Sequence, residues 1–90
     1  MAMTAKEQFQ PKSPTAEALG QLLRQRREAA GKTIHEVYRA LGRSLNRYRM
    51  GEAGASPFRA DEMLLISRFL EIDVAELLAI DPAVLDEPGN

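Results

Sequence analysis

The chain has no cysteine and a single histidine, so neither a disulfide framework nor a thiolate or imidazole metal cluster can be assembled, and no cofactor or metal is expected. It has no apolar run of about twenty residues, the length that spans a bilayer, because charges interrupt every candidate stretch. The polar residues 1–12 do not read as a leader, which leads to the expectation of a cytoplasmic chain with no membrane contact. It also has no glycine-rich phosphate loop and no nucleophile with an apparent base, so an enzyme is not expected. His35 falls on the outer side of a helix and reads as solvated. Stability must come from apolar packing, and 90 residues with 44% hydrophobic content suffice for one core.

Charge is nearly balanced over the whole chain, at −1, but not along it. Residues 22–60 carry a net charge of +6 and residues 61–90 a net charge of −7, while residues 1–21 sum to zero. A basic block can bind a polyanion by releasing counterions, and an acidic block keeps the opposite face away from it.

Residues 1–12 lack any apolar period and read as a disordered arm. Ser13 before Pro14 is a helix start, since proline at the first helical position loses no useful N–H. Leu19, Leu22, Leu23, Arg26 and Ala30 then recur at helical spacing, and Gly31 ends the segment. Thr33 and Glu36 have the spacing of a capping box ahead of a helix over Ile34–Leu41, whose apolar positions are Ile34, Val37, Tyr38 and Leu41. Gly42 closes it, and only Arg43 separates that glycine from Ser44, a further cap. So short a turn forces the flanking helices to cross steeply, the geometry of a helix-turn-helix. The next helix spans 45–52.

Gly51, Gly54, Ser56 and Pro57 mark a loop. Met63, Leu64, Ile66, Phe69 and Leu70 predict a strongly apolar fourth helix, with Asp61 and Glu62 as helix N-terminal charge. Asp73 and Glu76 have capping-box spacing before a short fifth helix, and Asp81-Pro82 opens a brief turn through Leu85. The expected architecture is all-α, with the domain over 13–79 and an extension over 80–90.

Leu19-Gly20, Arg27 through Gly31, Thr33 with Glu36, Leu41-Gly42, Ser44, Glu52-Ala53-Gly54, Pro57 and the segment 70–78 stand in the order of a known family. Over residues 19–78 the chain resembles the Xre-type helix-turn-helix family, the five-helix lambda-repressor-like and Cro-like fold. The resemblance implies a transcriptional regulator, a repressor, that binds double-stranded DNA in a sequence-specific way. It also implies an ion pair between Arg27 and Glu52, a guanidinium fork on a carboxylate that would join the first and third helices. The chain departs from the family at Ile34, where glutamine is usual, at Tyr38, where alanine is usual, and at Gly51, where a large aliphatic residue is usual. Tyr38 and Gly51 read as one compensated exchange of volume.

With the helix over 45–52 in the major groove, Leu45, Asn46, Arg47 and Met50 are the expected base contacts. Thr33, Arg43 and Arg49 are the expected phosphate contacts. For Leu45 and Met50 the other reading is burial in the chain itself or at a partner's surface, and Tyr48 falls on the inward face. One recognition helix per chain implies a homodimer on a two-fold operator. Ile72, Val74, Leu78, Ile80, Val84 and Leu85 are the candidate dimer contacts, with closure of the core as the other reading. The competing function is that of an antitoxin or adaptor using this fold to bind a protein partner.

Overall fold

The computed structural model describes residues 10–86. The Ser13 hydroxyl accepts the Ala16 amide at 3.0 Å and Pro14 follows at the first helical position, so helix α1 (Pro14–Ala29) starts where its orphan donors find a partner. Its buried positions, Ala16, Leu19, Gly20, Leu23 and Arg27, advance by three or four residues and form one inward stripe. The expected arm over 1–12 lies mostly outside the described residues; at its described end the Lys12 amide donates to the Gly54 carbonyl at 2.8 Å, so the backbone is already held against the domain at residue 12.

Helix α2 (Ile34–Leu41) carries the complete Thr33–Glu36 capping box. Gly42 ends it in the left-handed conformation, and the amides of Gly42 and Arg43 return to the carbonyls of Arg39 and Tyr38. Helix α3 (Leu45–Glu52) starts after only Arg43 and Ser44, the Ser44 hydroxyl accepting the Arg47 amide at 3.1 Å. Helix α4 (Ala60–Leu70) follows a loop, and α5 (Val74–Ile80) closes the bundle. Two i→i+3 hydrogen bonds then shape a turn over residues 81–86.

The expected capping box at Asp73 and Glu76 does not form. Asp73 caps the Ala75 amide alone, while the Glu76 carboxylate crosses to Arg26 on α1. A carboxylate that can meet a guanidinium on a neighbouring helix gains more there than from a backbone donor that water can serve.

Helix α1 packs on α3, α4 and α5, and α2 on α3 and α4. Leu23, Val37, Tyr48, Met63, Ile66 and Leu77 meet at the centre with essentially no exposure. The closest approach is at Gly20, where a Cβ would fall 2.0 Å from the Glu52 carbonyl oxygen; only glycine lets α1 and α3 come this near. Two of the candidate dimer contacts are corrected by this packing. Ile72 and Val84 are 5% and 9% exposed and belong to the core, with Ile80 and Leu85 packed against it. Because α5 has only seven residues, the segment after it must fold back to seal the end of the bundle, which consumes those aliphatic side chains. Leu64, in contrast, faces outward. No helix among the described residues is long and apolar enough to cross a membrane.

Candidate nucleic-acid interface

Helices α2 and α3, joined by Gly42-Arg43-Ser44, present one surface whose orientation is set from beneath. Arg27 of α1 reaches Glu52 at the end of α3 with a forked contact, Nε to Oε2 at 2.9 Å and Nη2 to Oε1 at 3.3 Å, and also donates to the Lys32 carbonyl at 3.2 Å. The side chains are 10% and 6% exposed, so neither charge has water as an alternative partner. Burial alone would lower the Arg27 pKa, but the hydrogen bond and charge of Glu52 outweigh it and the value is raised. The Tyr48 hydroxyl is buried beside this pair without a well-formed hydrogen bond, and burial, followed by the Glu52 charge, pushes the phenol far above its ordinary range.

A second tie was not legible in the sequence. Glu62 is buried at the start of α4 and accepts from Arg43 Nε at 2.8 Å, from Arg47 Nη2 at 2.9 Å and from the Arg59 amide at 2.8 Å. Arg47 also donates to the carbonyls of Ser56 and Pro57 and lies over the Phe58 ring, 5.1 Å from its centre. This corrects the expectation for Arg47: its guanidinium is held against the loop rather than offered to a base edge. In the sequence Glu62 reads as helix N-terminal charge, but its two arginine partners lie 15 and 19 residues away and carried no local signal.

Phe58 also corrects the pairing of Tyr38 with Gly51. A Cβ at Gly51 would stand 2.2 Å from the tip of the Phe58 ring, so the glycine makes room for Phe58, which also packs on Tyr48. Tyr38 is half-buried and its hydroxyl meets His35 Nδ1 at 3.1 Å.

The remaining expected contacts are distributed as follows. Asn46 is exposed near the start of α3, its amide loosely against the Met50 sulfur at 3.7 Å. Leu45, Arg49 and Met50 are half-buried, and Leu45 and Arg49 line a cleft with Arg24, Ile34 and His35 whose wall includes the Arg27–Glu52 pair. Arg43 keeps 43% of its side chain exposed although one nitrogen is held by Glu62. Thr33 is less available: its amide donates to Glu36, and its hydroxyl, which accepts the Glu36 amide, also lies against that carboxylate. The carboxylate remains ionised to lower pH than usual because it accepts that amide, and then because of the hydroxyl. The amides of Ile34 and His35 are the first-turn donors of α2 left over.

A family model described as a helix-turn-helix domain matches residues 18–80, which take in all but the first turn of α1 and the whole of α2 to α5. The chain belongs to the helix-turn-helix domain family. No curated protein and no solved structure matches it. Within the helix-turn-helix domain, α2, the turn and α3 are the two-helix unit, and α1, α4 and α5 are its support. Membership points to DNA binding by a regulator. The two carboxylate ties, Glu52 and Glu62, hold α3 at its end and near its start, respectively.

Proposed function

We propose that this helix-turn-helix domain binds duplex DNA at specific sequences as a transcriptional repressor in the cytoplasm, acting as a homodimer and performing no catalysis of its own. The observation that carries the reading is the division of α3 into two faces. Tyr48 and Gly51 are buried, and Arg47 is fastened to the loop and to α4. Asn46 stands outward, flanked by Leu45 and Met50.

Such a helix enters the major groove with Asn46 leading. The carboxamide matches the N6 and N7 edge of adenine, while Leu45 and Met50 offer apolar contact to thymine methyl groups. Arg43 and Arg49, with the Ile34 and His35 amides, take the phosphates on either side. Because Arg43 is half-exposed, it can exchange part of its contact with Glu62 for a phosphate.

Selection from a random duplex pool followed by equilibrium binding tests this. Asn46→Ala is expected to weaken the selected site by about 10- to 100-fold, the equivalent of ~1–3 kcal/mol, and to leave binding to random duplex unchanged. Arg47→Ala should instead lower thermal stability and weaken both classes of DNA together, as expected of a side chain that positions α3. If no sequence is enriched and salt hardly alters binding, the DNA reading fails and a protein partner takes its place.

A further inference from the structure

Helix α4 turns one side into the core and a second stripe outward. Asp61, Leu64, Leu65 and Arg68 recur at i, i+3, i+4 and i+7, so they share one face, and together they line a shallow depression. Leu64 and Leu65 are 43% and 47% exposed, the most open large apolar side chains among the described residues. Arg68 forms no ion pair among the described residues. Asp61 has only an exposed contact to Arg59 at 3.4 Å, of a kind worth little, and a bond from the Glu62 amide; both use Oδ1 and leave Oδ2 available.

The stripe is symmetric about its own centre. Asp61 and Arg68 stand equally far, about 5 Å along the axis, on opposite sides of the midpoint between Leu64 and Leu65. A two-fold contact requires that if one residue meets another, the reverse contact also exists. Pairing α4 antiparallel with α4 of a second copy about that midpoint sets Leu64 against Leu65 of the other copy twice, and Asp61 against Arg68 twice. A parallel pairing would set Asp61 on Asp61 and Arg68 on Arg68, so the charges select the antiparallel one. The helix dipoles favour the same orientation.

We propose that this face of α4 is where two copies of the chain associate. Of the candidate contacts in the segment 72–85, Ile72 and Val84 lie in the core and Ile80 and Leu85 pack against it, while Leu78, at 37% exposed, is less open than Leu64 and Leu65. Leu65 also borders an apolar groove with Ala40, Leu41 and Phe69, which extends the contact toward the roughly 800 Å² per partner of a stable interface. Its use on DNA rests on the reading given above, but the association itself is tested without DNA.

Sedimentation equilibrium of the full chain over a concentration series gives the test, with circular dichroism to verify folding. The parent is expected to dimerise. Asp61→Lys and Arg68→Glu should each weaken the dimer at least about tenfold, because like charges then face each other across the axis. Mixing the two variants should restore association, since one stripe then carries only positive and the other only negative charge. Leu65→Gln removes an exposed side chain and keeps both charges; it should fold as the parent does and dimerise at least about tenfold less tightly. A parent that stays monomeric to high micromolar concentration, a mixture of folded charge variants that stays monomeric, or a Leu65→Gln chain that dimerises like the parent would each overturn the assignment. Should either charge variant fail to fold, Leu65→Gln decides the question. Failure of DNA selection with the dimer intact would reject the DNA reading and leave this contact standing.

Discussion

Gly51 shows how one missing side chain can serve a purpose that only the neighbours reveal. Replacing a helical glycine by alanine ordinarily gains about 1 kcal/mol. At Gly51 the added methyl would lie inside the Phe58 ring's contact distance, while Phe58 itself is held between Tyr48 and Arg47. The overpacking should exceed the propensity gain, so Gly51→Ala is expected to lower stability by about 1 kcal/mol or more in urea unfolding. Phe58→Leu in the same chain should recover part of the loss, and Tyr38→Ala should not. Recovery through Tyr38→Ala would return the space to the tyrosine.

Among the elements, α4 is both the central core helix and the one that ends under strain. Its C-cap is Glu71, the one described non-glycine residue with positive φ, at φ 56° and ψ 44°. A side chain in the left-handed region costs roughly 1–2 kcal/mol relative to the right-handed one, which is why glycine is usual there. Glu71 is exposed and forms no ion pair among the described residues. Glu71→Gly is therefore expected to stabilise the domain by up to about 1 kcal/mol after the greater freedom of the unfolded chain is set against it. A raised urea midpoint with an unchanged slope is the expected result; a lowered midpoint would mean that Glu71 contributes a contact larger than its backbone strain.

For the molecule as a whole, the polarised charge of the sequence is partly turned inward. Arg24, Arg26, Arg27, Arg43, Arg47 and Arg59 each face a carboxylate, and four of those contacts, through Glu62, Glu76 and Asp61, join the basic block to the acidic one. Six of the nine cations in residues 22–60 are thus already set against a carboxylate. The logarithm of DNA affinity should fall with the logarithm of salt with a distinctly shallower slope per copy than the roughly −8 of nine free cations. A slope near the larger value would show that the internal pairs open on DNA, with Arg43 the first to do so.

Helix positions were legible in the sequence because their signals are local. Ser13-Pro14, Thr33 with Glu36, and Gly42 before Ser44 each satisfy or terminate a backbone within a few residues. The family pattern extended this to one distant contact, Arg27 with Glu52, because both residues belong to recognisable motifs. Asn46 as an outward residue followed from helical spacing alone. What only the tertiary structure decided were the partners of side chains with several options: Arg47 and Arg43 on Glu62, Glu76 on Arg26, Gly51 beneath Phe58, and Ile72 and Val84 in the core. A capping or spacing rule acts over one turn of helix, whereas these choices depend on which charge or cavity another element brings within a few ångströms, and that distance exists only once the helices have packed.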